Sequence, residues 1–147
     1  MVKLASQQVG KCGELLVQYM LLKYGVESAP LTTDFGIDLV AFRADNKKPI
    51  SIQVKTCTYH EKVDKWVEWW VSNDCPADYI AVVDLERDKC WIFNFENEYK
   101  QRASKSGEGC RLWWSLPGYE SEGSLHKEEL FKDYEIEAAI PAVFGLK

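Results

Sequence analysis

Apolar residues recur every three to four positions over residues 6–23, as they do along the buried face of an amphipathic helix. Ser6 is of a type that caps helix N-termini, Lys23 lies where a cation suits the C-terminal end of the helix dipole, and Gly25 follows as a stop signal. We therefore predict one amphipathic helix over residues 6–23.

Beyond this helix the pattern changes to short apolar runs separated by turn residues, which is typical of strands. Strands are predicted over residues 26–31, 37–43, 50–58, 79–85, 90–95 and 111–116, and extended structure over residues 59–74. The turns at 44–49 and 86–89 make two antiparallel pairs of the strands that flank them. Helices are predicted over residues 96–105 and 127–139. This order indicates one domain over residues 1–147, with a helix first, a sheet in the middle and helices later.

Composition places the chain among soluble globular proteins. Its 147 residues suit one domain, and 46% hydrophobic and 28% charged residues are ordinary fractions. No apolar run reaches the ~18 residues of a membrane span, and the N-terminal segment lacks the apolar region of a signal peptide. The five cysteines form no C-x-x-C pair, their number is odd, and neither histidine lies at zinc-ligand spacing from a cysteine. We expect a cytoplasmic protein with no membrane partner and with reduced thiols.

The net charge limits the ways in which the protein can meet nucleic acid. Eighteen basic and 23 acidic residues give a net charge of −5, which disfavours binding through bulk positive charge. The same charge is compatible with an enzyme that approaches phosphates through divalent cations held by its own carboxylates. Local phosphate contacts are expected from the following basic residues, which flank the segment described next: Lys11, Arg43, Lys47, Lys48, Lys62 and Lys65.

The segment most informative about chemistry runs from residue 13 to residue 58. Glu14 lies in the first predicted helix, Asp38 near the start of the second predicted strand, and Gln53 and Lys55 on the third. Because side chains alternate along a strand, Gln53 and Lys55 share one face and form a polar ledge. If the two strands pair as a hairpin, Asp38 lies beside that ledge. Cys57 continues the ledge, where a nearby ammonium can lower the pKa of its thiol, although a structural thiol is the simpler interpretation.

These residue types suit the hydrolysis of a phosphodiester bond. Mg²⁺ prefers oxygen ligands, takes one or two carboxylates from a protein and keeps several waters. Asp38 can supply the negative ligand, and the amide oxygen of Gln53 can act as a neutral ligand or orient a water. Lys55 can stabilise the oxyanion and help to position the attacking water. Glu14 can bind a second metal ion or one of its waters, although a solvated helix surface is the simpler interpretation of that residue.

The arrangement of Glu14, the segment DFGIDLVA (residues 34–41) and the segment IQVKT (residues 52–56) resembles the motifs of the PD-(D/E)XK nuclease superfamily. It is most similar to the Holliday-junction-resolvase-like members and to the small bacterial intron homing endonucleases, some of which also carry glutamine in the third motif position. The resemblance implies a restriction-endonuclease-like α/β fold with an αβββαβ core, in which helices flank a mixed sheet. It also implies Mg²⁺-dependent DNA cleavage and assembly into dimers or tetramers.

Carried over residue by residue, the resemblance makes Asp38 the principal metal ligand, Gln53 the second ligand, Lys55 the catalytic lysine and Glu14 the helix carboxylate. The chain departs from the usual motif in two ways. Ile37 stands where proline commonly precedes the aspartate, and Gln53 removes one negative charge, which lowers the expected affinity for metal. Asp34, also within the motif segment, is interpreted as a turn residue.

We therefore predict a Mg²⁺- or Mn²⁺-dependent endonuclease that hydrolyses DNA phosphodiester bonds as a homodimer or homotetramer. The alternative is a catalytically silent nucleic-acid-binding or oligomerisation module on the same fold, with Gln53 as the sign of lost chemistry. A third interpretation is an interaction protein that uses its tryptophan-rich surface. The tryptophans at 66, 69, 70, 113 and 114 fit base stacking as well as core or interface packing, and we favour packing.

Overall fold

The structure is a computed structural model that describes residues 2–33, 35–60 and 62–145, without the side chains of residues 46 and 47. The elements in chain order are α1 (Ser6–Lys23), β1 (Val26–Pro30), β2 (Leu39–Arg43), β3 (Asn46–Cys57), β4 (Trp66–Ser72), β5 (Tyr79–Asp84), β6 (Lys89–Asn94), a π-helical turn (Phe95–Tyr99), α2 (Lys100–Arg102), β7 (Ser104–Ser106), β8 (Gly109–Ser115), a 3-10 helix (Glu128–Tyr134) and α3 (Ile136–Val143). None of the described helices is long and apolar enough to cross a membrane.

Two sheets carry the fold. The larger has five strands in the order β1-β2-β3-β5-β6, and the smaller has three in the order β4-β8-β7. Neighbours in both sheets are antiparallel, except for β3 and β5, which run parallel. Both predicted antiparallel strand pairs are confirmed. The mixed sheet with flanking helices confirms the predicted fold class, and β4 of the smaller sheet occupies the crossover where the αβββαβ order has a helix.

Two apolar clusters lie on opposite faces of the larger sheet. The first joins α1 and α3 to the sheet, with Val17 and Ile52 both fully buried in it. The second lies between the two sheets and is built around three buried tryptophans. Trp114 lies 4.8 Å from both Trp69 and Trp91 between ring centroids, and its ring is tilted or edge-on to theirs. Core packing is therefore the role of Trp69 and Trp114.

The helix predicted over residues 6–23 is confirmed, although its cap is not the predicted one. Ala5 is the N-cap, and its N–H donates to Gln8 Oε1 at 2.8 Å. Further along α1, Gly13 lies so close to β3 that a Cβ atom there would overlap Thr56 Oγ1. The absence of a side chain at this position allows the helix to pack directly on the strand.

The two later helix predictions are wrong in extent. Over residues 96–105, a π-helical turn and the short α2 give way to β7, because residues 104–106 pair with β8 instead of continuing the helix. Residues 127–139 form a 3-10 helix and the start of α3, with a break at Glu135. That residue has extended backbone (φ −54°, ψ 138°) and makes an antiparallel bridge to Trp91. Tertiary pairing therefore overrides helical periodicity in both segments.

Candidate active site

The start of β2 brings Asp38 next to β3. Leu39 pairs with Ile52 in the antiparallel register, and Asp38, which precedes this pair, is hydrogen-bonded to β3 on both sides of Gln53. The Asp38 N–H donates to Ile52 O at 2.9 Å, and Asp38 Oδ2 accepts the N–H of Val54 at 2.7 Å. The carboxylate thus takes the place of a backbone acceptor for β3, and this charge-assisted hydrogen bond fixes its orientation.

Cys75, in the connection between β4 and β5, contacts Gln53 and lines the same pocket as Lys55. Its Sγ lies 3.0 Å from Gln53 Oε1 and 3.5 Å from Gly36 O. Burial raises the pKa of the Cys75 thiol, the charge of Asp38 raises it further, and the charge of Lys55 opposes this rise. The thiol is therefore protonated at neutral pH and donates to the Gln53 amide oxygen. The sequence alone does not point to Cys75, because nothing in the spacing of the cysteines links residue 75 to residue 53.

Gln53 and Lys55 line a pocket of about 230 Å³. The wall that faces them comes from β4 and the loop that follows it, and includes Trp70, Ser72 and Asp74. A larger cavity of about 610 Å³ beside α3 has none of the predicted site residues in its described lining. We place the candidate site at the smaller pocket, because the Gln53 amide and the Lys55 ammonium line it and the Asp38 carboxylate is bound to β3 between them, at the Val54 N–H. Chemistry identifies a site better than volume does.

Glu14 is placed differently from the other three residues. It is half-buried on α1, directly after Gly13, which packs against Thr56. Because side chains alternate along β3, Thr56 faces α1 while Lys55 faces the smaller sheet. Glu14 therefore belongs to the helix layer, whereas Gln53 and Lys55 lie on the opposite face of β3.

The donor set suits a hard divalent cation. Among residues 2–33, 35–60 and 62–145, no three side chains of the His, Cys, Asp or Glu type cluster as a ready-made metal site. Gln53, Ser72 and Asp74 bring oxygen donors to the pocket lining, and the Asp38 carboxylate is bound to β3 next to Gln53. The Gln53 carbonyl has a second lone pair besides the one that faces Cys75. Mg²⁺ fits this set, because it binds through one or two carboxylates and keeps several waters, whereas structural zinc needs four protein ligands.

Cys57 lies beside Lys55 on β3, but burial raises the pKa of its thiol, and the charges of Glu68, Asp84 and Asp64 add to that rise. The suggested lowering of its pKa is therefore wrong, and the thiol packs against the cluster between the sheets.

Part of the predicted basic rim lies at the turn end of the β2–β3 hairpin, away from Lys55. Arg43 pairs in register with residue 46 at that turn, and its guanidinium donates to both carboxylate oxygens of Asp45 at 2.9 and 2.8 Å. These hydrogen bonds raise the pKa of Arg43. Lys48 is exposed at the same end. The side chain of Lys47, like Asp34 as a whole, lies outside the described residues.

The remaining predicted phosphate contacts lie elsewhere. Lys62 and Lys65 are exposed in the connection that follows β3. This connection begins at the C-terminal end of β3, near which Lys55 lies. Lys65 Nζ is 6.0 Å from the centroid of the Tyr119 ring. Lys11 is exposed on α1, one turn before Glu14. Of the six predicted contacts, Lys62 and Lys65 therefore lie nearest to the Lys55 end of β3 in the chain.

Comparisons with solved structures identify the fold. The bacterial homing endonuclease I-Ssp6803I superposes with a TM-score of 0.68 at 12% sequence identity, over 96% of this chain and 92% of that chain. The Holliday junction resolvase Hjc of the archaeal hyperthermophile Archaeoglobus fulgidus superposes with a TM-score of 0.55 at 17% identity, over 94% of this chain and 97% of that chain. No protein-family profile and no curated protein sequence matches the chain. Both structural relatives have PD-(D/E)XK-type nuclease folds, and this chain has the same fold.

Proposed function

We propose that the protein is a metal-dependent endonuclease that hydrolyses DNA phosphodiester bonds. The observation that carries the proposal is that Asp38 is hydrogen-bonded to β3 on both sides of Gln53, with Gln53 and Lys55 on one face of β3 beside a small pocket. The similarity of the fold to a homing endonuclease and to a Holliday junction resolvase supports it. Because fold alone does not decide function, these side chains have to supply the chemistry.

Each residue has a defined task in this proposal. Asp38 and Gln53 hold a Mg²⁺ or Mn²⁺ ion, which when bound neutralises charge on the phosphate oxygens. The Val54 N–H keeps the Asp38 carboxylate in one orientation before metal arrives. Lys55 donates to the oxyanion that develops on phosphorus and orients the attacking water. Glu14 lies in the helix layer on the other face of β3, so the second ion or water that it is proposed to hold is a separate one on that side.

The proposal includes DNA as the substrate and a homodimer or homotetramer as the active assembly. Cutting both strands of a duplex requires two sites, and a homodimer with twofold symmetry supplies them in matching orientations. Lys62 and Lys65, exposed beyond β3, are proposed phosphate contacts. Sedimentation with and without DNA tests the assembly, and a monomer under both conditions contradicts it.

Cleavage of a DNA panel tests the activity. Supercoiled, linear, branched and single-stranded DNA are incubated with the protein in Mg²⁺, Mn²⁺ or EDTA. We expect cleavage only with metal, and none by Asp38→Asn, which keeps an oxygen to accept the Val54 N–H but loses the charge. Equal cleavage in EDTA or by the variant contradicts the proposal. Metal-independent DNA binding without cleavage of any substrate identifies the catalytically silent module instead.

A further inference from the structure

Two aromatic side chains at the pocket beside Lys55 have no task in the proposed hydrolysis. Phe35 is 78% exposed and Trp70 is 44% exposed, and both line the pocket together with Gln53 and Lys55. The neighbouring Trp69 on β4 is only 3% exposed. Exposed aromatic residues that line a pocket together with a few polar side chains are typical of a binding surface.

The Trp70 ring is held in a fixed position. Its Nε1–H donates to Ser106 O at 2.8 Å, which ties the indole to β7. The ring also lies directly against Gly109 of β8, where a Cβ atom would overlap it. The indole therefore rests on backbone, and 44% of the Trp70 surface stays exposed. A rigid aromatic surface of this kind binds a flat ligand with little loss of conformational entropy.

The size and surroundings of the pocket indicate what that flat ligand is. The volume of about 230 Å³ is below the ~300–1,000 Å³ of sites for drug-sized molecules, so the pocket suits a single ring system. Lys55 lies in the same pocket, where it can contact the phosphate of the same nucleotide. Aromatic side chains stack on the face of any nucleobase, but a base inside a duplex is already stacked on both sides.

We propose that Phe35 and Trp70 bind the unstacked base of a nucleotide next to the scissile phosphate. The preferred substrate is then DNA with an unpaired nucleotide at the cleavage site rather than a continuous duplex. The inference rests on the proposed function for the position of the scissile phosphate, but base binding itself is measurable without metal.

Three oligonucleotides test the binding in EDTA: a perfect duplex, the same duplex with one bulged 2-aminopurine nucleotide, and the same bulge with an abasic nucleotide. We expect the wild-type protein to bind the 2-aminopurine bulge roughly tenfold more tightly than either of the others, as stacking of one base on an aromatic ring allows. Quenching of 2-aminopurine fluorescence should accompany binding. Equal affinity for all three overturns the inference, and equal affinity for the two bulges assigns the effect to DNA flexibility instead, which also overturns it.

Aromatic variants locate the binding surface. Trp70→Ala should lose the preference for the 2-aminopurine bulge, Phe35→Ala should weaken it, and Trp70→Phe should restore part of it. Trp66→Ala is the matched control, because Trp66 lies on the same strand and is 48% exposed but is absent from the described lining of the pocket. Phe35 is so exposed that its removal should leave the fold intact. Loss of the preference in Trp66→Ala to the same extent as in Trp70→Ala overturns the inference.

Cleavage of the same oligonucleotides in Mg²⁺ separates this inference from the proposed function. Faster cleavage of the 2-aminopurine bulge than of the duplex and of the abasic bulge supports both. Cleavage without such a preference overturns the inference and leaves the nuclease proposal standing. Tight binding of the 2-aminopurine bulge without cleavage of any substrate overturns the nuclease proposal and supports base binding.

Discussion

Two aspartates on strands of the larger sheet have opposite surroundings. Asp84 ends β5 and is fully buried, with Arg87 Nε at 2.7 Å and the Tyr59 hydroxyl at 3.3 Å. Asp38 precedes β2, is half-buried, and accepts a backbone N–H from Val54 beside Gln53. The Asp84 carboxylate is neutralised within the protein, whereas the Asp38 carboxylate lies close to a pocket that a ligand can enter.

The surroundings of Asp84 form an ion network that fastens the C-terminal helices to the β5–β6 hairpin. Arg87 bridges Asp84 and Glu128, and Lys89 Nζ lies 3.1 Å from Glu128 and 3.4 Å from Glu135. Burial alone would raise the pKa of Glu128, but hydrogen bonds from Arg87 and Lys89 outweigh it and lower this pKa. Each charge in this network has a partner of opposite sign, so the region serves stability.

The comparison shows that an acid within an apolar strand does not by itself indicate a functional site. In sequence, Asp84 follows two valines much as Asp38 follows an isoleucine. What separates them is the next partner: an arginine three residues along the chain for Asp84, and a glutamine across the hairpin for Asp38. Of these two contacts, only the one between Asp38 and the strand that carries Gln53 depends on the pairing of β2 with β3. This pairing places polar groups beside a pocket.

The first prediction compares the effects of substitutions at the two aspartates on stability, and it has the largest expected effect. Asp84→Ala leaves Arg87 without one of its buried partners and should lower the free energy of unfolding by about 3 kcal/mol. This is the lower end of the range for a broken buried ion pair, since Arg87 is 27% exposed. Asp38→Asn should change that free energy by less than about 1 kcal/mol, because the hydrogen bond to Val54 is kept. Urea unfolding followed by tryptophan fluorescence measures both. A larger loss for Asp38→Asn than for Asp84→Ala would reverse the two assignments.

The second prediction concerns Lys55, whose removal should affect cleavage but not metal binding. Lys55→Ala should lower the cleavage rate by roughly 10²–10³, the usual cost of losing one donor to a transition-state oxyanion. Metal affinity measured by calorimetry should be unchanged or slightly higher, because an ammonium does not ligate a cation. Lys132→Ala is the control, since Lys132 pairs with Glu129 on the 3-10 helix at 3.1 Å. Unchanged cleavage by Lys55→Ala would place the active site elsewhere.

Much of the fold follows from local pattern in the sequence. The period of α1, the alternation of β3 and the turns of both strand pairs are properties of contiguous residues, and these elements lie where they were predicted. The later helices do not, because β7 and the bridge at Glu135 depend on partners 3 to 44 positions away in the chain. Such pairing outweighs a helical period that is otherwise acceptable.

The candidate site divides in the same way. The positions of Asp38, Gln53 and Lys55 relative to one another follow from one hairpin, so the sequence predicts them together. Trp70 lies on β4 of the smaller sheet, and Cys75 lies in the loop after it. No spacing rule connects either residue to β3. The placement of Arg43 and Lys48 at the far end of the hairpin likewise depends on where its turn lies.

The third prediction concerns how the ion network around Asp84 contributes to stability at different pH values. The folded-state pKa of Glu128 is below its ordinary value of 4.5, so its contribution to stability is present above about pH 4.5 and is lost as the pH falls through the folded-state pKa. Glu128→Gln should lower the free energy of unfolding by about 1–2 kcal/mol at pH 7, because Lys89 is more than a third exposed in its side chain and Arg87 remains partly hydrated. The difference from the wild-type protein should shrink below pH 4.

Urea unfolding of both proteins between pH 3 and pH 7 measures this difference. Taking the difference between the two proteins largely cancels Glu135, whose own pKa is raised by burial and by its hydrogen bond with Glu137. A difference that stays constant from pH 7 to pH 3 would contradict an ionic role for Glu128.

The fourth prediction has the smallest expected effect. It concerns a substitution that makes the Asp38 region more like an ordinary acidic metal site. Gln53→Glu adds a second carboxylate between Ile52 and Val54, the two residues that hydrogen-bond Asp38. This change should tighten Mg²⁺ binding by roughly tenfold, since ligand charge tunes the affinity for hard cations. Glutamate can accept the Cys75 thiol hydrogen as the amide oxygen does, so the local packing should be kept. Calorimetric titration with Mg²⁺ at pH 7 measures the affinity, and Gln18→Glu on α1 is a control that adds the same charge on another element. Equal tightening by both variants would mean that net charge, rather than a ligand at position 53, sets the affinity. Tightening confined to Gln53→Glu would identify residue 53 as part of the metal site.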